Sequence, residues 1–202
     1  AHMLNYSPRA ALIWNNGSTT TARAMYGVAF RAPNAFERYF DDGVSQAANP
    51  MLMGEHLDTY ELQLEHAITT NTLACISWYH WNMPEIITLT SGMTPSPEHL
   101  AMGHMDMAPG RPQFQAGSRI LTNGVELSMN GLLGASGRWK GSITWQDADK
   151  AEGGELVNSP EILGRLNYTH LLGWGGLRAG YELRYDSGRV ATDGSTMAGN
   201  WR

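Results

Sequence analysis

The chain has 202 residues, with 14 Lys and Arg against 19 Asp and Glu and a formal net charge of −5. That balance excludes a general nucleic-acid binder, which needs clustered cations to neutralise phosphates, so no nucleic-acid partner is expected. Only 16% of residues are charged and 42% are hydrophobic, against roughly a quarter charged in ordinary soluble domains, so part of the surface is expected to face something other than water. The 23 Gly, 7 Trp and 8 Tyr argue against an all-helical protein. Cys75 is the single cysteine, which rules out an intramolecular disulfide and a zinc site of several thiolates. No run approaches the roughly 18 apolar residues of a transmembrane helix, which leaves a β-barrel open. Ala1-His2-Met3 reads as a cloning remnant ahead of one domain over 4–202.

Period-two alternation then marks strands along the chain. Pro8 to Trp14 is the first. From Ala22 to Phe30, Ala22, Ala24, Tyr26, Val28 and Phe30 share one face, with Arg23 and Arg31 on the other. Tyr60, Leu62, Leu64, His66 and Ile68 oppose Glu61, Gln63 and Glu65. Leu73 to about Thr90 is less regular, with Trp78 and His80 on one face and Tyr79 and Trp81 on the other. Val125, Leu127 and Met129 oppose Glu126, Ser128 and Asn130; Trp139, Gly141, Ile143 and Trp145 oppose Lys140, Ser142, Thr144 and Gln146. Leu166, Tyr168 and His170 oppose Arg165, Asn167 and Thr169; Leu177, Ala179, Tyr181, Leu183 and Tyr185 oppose Arg178, Glu182 and Arg184.

The connections alternate in length. Asn15-Asn16-Gly17-Ser18, Thr70-Asn71, Gly134-Ala135-Ser136-Gly137 and Trp174-Gly175-Gly176 are short turns. The stretches 32–58, 91–117, 149–159 and 187–199 are long loops. In an antiparallel up-and-down meander all turns fall at one end and all loops at the other, as in outer-membrane barrels. The expected fold is therefore all-β, a meander of about eight strands, either closing into a small β-barrel or forming a segment of a larger transmembrane barrel. In that reading the apolar positions meet lipid and the polar ones line a wet interior. An ordinary soluble barrel, with the apolar face inward around an apolar ligand, is the alternative.

Longer stretches point to a family. Tyr26-Gly27-Val28-Ala29-Phe30-Arg31-Ala32-Pro33-Asn34-Ala35-Phe36-Glu37 resembles the "FRAPN" strand end of TonB-dependent outer-membrane receptors. Asn49-Pro50-Met51-Leu52 with Thr59-Tyr60-Glu61-Leu62 is similar to their descent back into the membrane, although Gly54-Glu55 stands where Pro-Glu is usual. Gly124-Val125-Glu126-Leu127, Thr144-Trp145-Gln146-Asp147-Ala148 and Asn158-Ser159-Pro160 resemble later strands in the same order. The resemblance implies the C-terminal part of the barrel of a receptor in the outer membrane of a Gram-negative bacterium. The parent would import a scarce nutrient, such as an iron chelate (siderophore uptake), cobalamin or another large solute, using TonB. Nothing in these residues corresponds to the plug domain, the TonB box or the terminal aromatic strand. The chain is therefore expected not to transport alone, and to pair its open sheet edges by closure or by self-association, with lipid or detergent as its other partner.

Chemistry is sparse. Ligand binding is expected from the long loops 32–58 and 91–117. His99, Met102, His104, Met105 and Met107 form an imidazole and thioether cluster suited to a soft metal such as copper, which Met51, Met53 and His56 could join. The chain has no G-x-S-x-G, H-E-x-x-H, P-loop or opening G-x-G-x-x-G pattern, so no enzyme activity and no cofactor are expected. His66, His80, His170 and Cys75 are read as wall residues. Trp14, Trp78, Trp81, Trp139, Trp145 and Trp174 suit a membrane-interface girdle. Arg23, Glu61, Glu65, Glu126, Lys140, Arg165, Arg178, Glu182 and Arg184 suit a charged network across one face.

Overall fold

A computed structural model describes residues 5–90, 111–151, 156–191 and 193–202. Its strands are β1 (Arg9–Asn15), β2 (Thr20–Arg31), β3 (Glu55–Thr69), β4 (Thr72–Met83), β5 (Ile87–Thr90), β6 (Gln113–Ala116), β7 (Ile120–Leu133), β8 (Gly137–Lys150), β9 (Ile162–Leu171), β10 (Arg178–Asp186), β11 (Arg189–Val190), β12 (Thr196–Met197) and β13 (Asn200–Trp201). One short helix, α1 (Ala35–Tyr39), lies between β2 and β3. Nine strands form one sheet in the order β1-β2-β3-β4-β7-β8-β9-β10-β13, every neighbour antiparallel. β5–β6 and β11–β12 are separate two-stranded excursions at the loop end.

The first turn shows how local chemistry sets the hairpins. The Asn16 side-chain oxygen accepts from the backbone N–H groups of Ser18, Thr19 and Thr20 at 3.1, 3.0 and 3.0 Å, an Asx turn that reverses the chain. Successive turns are staggered. Thr20 lies opposite His66, but β3 runs on to Thr69; Thr72 lies opposite Gly131, but β7 runs on to Leu133. Such a stagger belongs to strands tilted within a barrel wall.

The main sheet has nine strands, in keeping with the expected meander of about eight, the ninth being the two-residue β13. Several expectations are corrected. The single strand from Leu73 to Thr90 is two, because Pro84 has no N–H for the ladder and β5 pairs with β6 instead of β3 or β7. The loop 32–58 ends earlier, with β3 starting at Glu55, and the loops 91–117 and 187–199 contain β6, β11 and β12. A small closed barrel is not formed: among the described residues β1 pairs only with β2, and β13 only with β10. The sheet is an open segment of wall.

Cross-strand partners share a face, so the register sorts the side chains. Leu12, Ala24, Leu62, Trp78, Val125 and Trp145 form one row of the apolar face; Arg23, Gln63, Ser77, Glu126 and Thr144 form a row of the polar face. The apolar face has no cover. Leu62, Ile76 and Ile143 remain 54%, 47% and 54% exposed, and the buried hydrophobic residues Ala47, Leu52 and Ile120 all lie at the loop end. A water-soluble barrel with its apolar face packed inward is thus not what these residues build, since an apolar face of this extent in water forfeits about 25 cal/mol for every Å² left unburied.

Candidate functional site

The densest chemistry lies where the loops meet above β2, β3 and β7. After β2, Pro33 fixes an extended entry and Asn34 caps α1. The Asn34 side-chain oxygen accepts from the Glu37 N–H at 2.8 Å, and the Glu37 carboxylate accepts from the Asn34 N–H at 2.8 Å, a reciprocal capping box. Glu37 is nearly buried and also takes the Arg31 guanidinium at 2.9 and 3.1 Å. Arg31 reaches across its own register pair to Glu55 at 2.5 Å, and the other Glu55 oxygen accepts from the Ile87 N–H. Arg38, one residue on from Glu37, donates twice to the Leu52 carbonyl, at 3.0 and 2.7 Å. That clamp holds Leu52, 2% exposed.

A second knot ties this loop to the β5–β6 arm. Arg111 Nη1 donates to Asp41 at 2.5 Å and to the Gln46 carbonyl at 2.9 Å. The Gln113 side chain donates to the Ala48 carbonyl at 2.6 Å, the Asn49 side chain to the Phe114 carbonyl at 2.8 Å, and the Ala47 N–H to the Pro112 carbonyl at 2.9 Å. Phe36 stacks on Phe40 and meets Phe114 edge-on. The guanidinium of Arg111, followed by the Gly43 N–H, holds the Asp41 carboxyl below the usual range. The Ser45 hydroxyl and the N–H groups of Val44, Gln46 and Ser45 hold Asp42 well below it. Asp41 in turn raises Arg111. Two buried donors, Gln46 Nε2 and Arg111 Nε, have no partner among the described residues.

On the polar face the expected charged network forms only in pieces. Arg23 donates to Gln63 at 2.7 Å and lies 3.7 Å from Glu65; Thr144 donates to Glu126 at 2.9 Å; Arg184 pairs with Glu182 at 2.7 Å, on its own strand. Glu61, Lys140, Arg165 and Arg178 take their places on the same face and join no ion pair among the described residues. Tyr79 lies flat over Gly124, where an added Cβ would fall 2.3 Å from the ring, and its hydroxyl donates to Gln146 at 3.2 Å.

The wall histidines bond within the sheet or stack on rings. His66 meets Thr20 at 2.8 Å, His80 meets Asn123 at 2.8 Å, and His170 stacks with Tyr168 and Tyr181. Cys75 lies half-buried on the polar face, 3.7 Å from Ser77. Of the tryptophans expected in a girdle, Trp14, Trp78, Trp139 and Trp145 share the apolar face and Trp174 tips a turn. Trp81 lies on the polar face beside Tyr79. His99, Met102, His104, Met105 and Met107 lie outside the described residues. Met51 and Met53 are exposed, while His56 meets the Phe30 ring at a tilt on the apolar face, turned away from the polar one. No group of three His, Cys, Asp or Glu converges among the described residues.

Sequence reasoning passed over Arg111 and Gln113, and met Asn49 and Glu55 only within the family resemblance, with no sign that they tie the loops and arms together. Only Asn34 and Glu37 carried a local signal, the N-x-x-E spacing of a capping box.

The sequence model described as "TonB dependent receptor-like, beta-barrel" matches residues 4–201. No curated protein sequence matches. Among solved structures, the ferric enterobactin receptor of Pseudomonas aeruginosa, a mutant solved with enterobactin, is 14% identical with a TM-score of 0.72, covering 98% of this chain and 32% of its own. The siderophore receptor PirA of Acinetobacter baumannii is 14% identical at 0.69, covering 98% and 33%. The copper transporter OprC is 17% identical at 0.69, covering 96% and 30%. The chain thus spans about a third of the length of these structures.

Proposed function

Since the chain belongs to the TonB-dependent receptor β-barrel family, whose members reside in the outer membrane of Gram-negative bacteria, we propose that it is a wall segment of a receptor that imports a metal chelate of the siderophore class. In this reading the apolar face meets lipid, the polar face lines the lumen, and the tied loops form part of the outer mouth. β1 and β13 offer their free edges to further strands of the same receptor, so this segment alone does not transport. Members of the family are transporters, not enzymes.

The observation that carries the reading is the tie between the two long loops through Asp41, Arg111, Gln113 and Asn49. It ties the two long loops to each other, and in this reading that holds the shape of the mouth that receives a chelate. The test is growth on a panel of ferric siderophores as sole iron source, with the intact receptor carrying Arg111→Ala. We expect growth on one chelate to fall while the receptor still reaches the outer membrane. Unchanged growth on every chelate would overturn the reading.

A second reading, uptake of a soft metal ion, is supported by the thioether and imidazole cluster at His99, Met102, His104, Met105 and Met107 and by the presence of a copper transporter among the similar folds. Calorimetric titration with Cu(I), before and after Met-to-Leu replacement at 102, 105 and 107, separates it from the first.

A further inference from the structure

Charge is not evenly spread over the polar face. Below the mouth, β2, β3 and β7 present Arg23 against Glu61, Glu65 and Glu126, and Arg23 is taken up by Gln63 and Glu65. On β8, β9 and β10 the balance is reversed. Register sets Arg165 opposite Ser142, Lys140 opposite Asn167, Arg138 opposite Thr169 and Arg178 opposite Leu171. Four successive rows of the face, stepping from the middle of the wall to the turn end, thus each carry a cation without a carboxylate. Among the described residues of these strands, the one carboxylate in those rows is Glu182, and it is held by Arg184 at 2.7 Å.

Two features point from this file to a ligand. The first is an uncompensated repulsion: Arg165 lies directly opposite Arg184 across β9 and β10, a like-charge pair that costs stability, and only Arg184 has an acidic partner. The second is spacing. The side chains of Arg138, Lys140, Arg165 and Arg178 are exposed and join no ion pair among the described residues, and successive rows lie about 7 Å apart, two residues of strand rise. That is within a Debye length of about 8–10 Å, so an anion leaving one cation is already in the field of the next. Several weak sites in series let an ion pass where one converging cluster would hold it.

We propose that Arg165, Lys140, Arg138 and Arg178 form an anion track along the lumen wall, leading from mid-wall to the turn end, and that the chelate this receptor imports carries net negative charge. The inference rests on the lumen-facing reading of the polar face proposed above and names the charge class of the cargo.

The test uses the intact receptor carrying Cys75→Ser and one new cysteine. At Ser142→Cys, opposite Arg165, a sulfonate-bearing thiosulfonate reagent should react faster than its trimethylammonium counterpart. Arg165→Gln and Lys140→Gln should each lower that rate ratio about fivefold, the weight of one unit charge at about 4 Å in water, and Arg165→Lys should restore it. Equal rates for the two reagents, or a ratio that neither substitution moves, overturns the track. Protection from both reagents, with Ile143→Cys on the opposite face also silent, overturns it as well and puts another part of the receptor on these cations. Reaction at Ile143→Cys with none at Ser142→Cys would instead overturn the lumen-facing reading itself. Uptake of radioiron then reads the cargo. An anionic ferric tris-catecholate should enter, and Arg165→Gln with Lys140→Gln should slow its maximal rate while leaving KM unchanged. Import of an uncharged ferric trihydroxamate alone overturns the charge assigned to the cargo and leaves chelate uptake standing; import of neither overturns chelate uptake too.

Discussion

The loop end and the wall are held together in different ways. At the loop end, residues distant in sequence meet: Arg111 lies 70 residues from Asp41 and Asn49 lies 65 from Phe114, and the buried apolar side chains among the described residues collect there. In the wall, each strand bonds mainly to its sequence neighbours and both faces stay open. The wall carries a complete ladder of backbone hydrogen bonds but no core, so its stability depends on what lies against its faces and edges. The loop end has a small core of its own. The contrast bears on the proposed function too: the loop end is fixed by its own side chains, whereas the wall, in the proposed reading, would be completed by lipid and by neighbouring strands.

Leu52→Ala should break the comparison hardest. Leu52 is 2% exposed and clamped by Arg38, so deleting its side chain should cost about 2–5 kcal/mol of local stability. Hydrogen exchange should rise over 36–52 and 111–116 and stay unchanged in β8 and β9. If the wall loosened equally, the two regions would be one cooperative unit. Gly124→Ala acts on the other side of the comparison. The new Cβ would enter the space of the Tyr79 ring and displace its hydroxyl from Gln146, at about 1–3 kcal/mol. Thermal unfolding of the barrel in detergent should shift downward while the loop end keeps its protection.

How much of this was legible follows from the same division. Wall strands are read from alternation because their environment is periodic: Leu62, Leu64 and His66 against Gln63 and Glu65 is a two-faced pattern with no tertiary information in it. The polar face and most of the tryptophan placements came from that alternation alone. Sheet closure did not, because stagger and edge pairing are properties of the whole ladder, and nothing local in Arg9–Asn15 states whether a further strand lies beside it. The loop end was hidden for another reason. Gln113 donating to the Ala48 carbonyl and Arg111 to Asp41 are pairings between irregular segments, with no period to betray them. Only the Asn34 and Glu37 capping box announces itself in sequence, and it fixes one helical turn rather than the contact between loops.

The smallest expected effect is also the most selective. Asp41 and Asp42 are both held below the usual carboxylate range, Asp41 chiefly by Arg111 and Asp42 chiefly by the Ser45 hydroxyl and three backbone N–H groups. A carboxyl lowered in the folded state adds stability that is fully present above its unfolded value of about 4 and is lost as pH falls through the folded value. From pH 7 to 5 the tie between the loops should therefore hold. Below about pH 4 it should weaken, because a protonated Asp41 keeps a hydrogen bond but loses the charge that draws Arg111. Both carboxylates are open to solvent, so the change should be modest and screened by salt. Hydrogen exchange over 36–52, corrected for the intrinsic effect of pH, should rise only in the acid range, and less so in 0.5 M salt, where the charge pair is already weakened. Asp41→Asn should abolish most of the acid step, since the amide keeps the geometry and removes the titration. A step that begins between pH 7 and 5, or that survives Asp41→Asn at full size, would place the acid sensitivity of the mouth elsewhere.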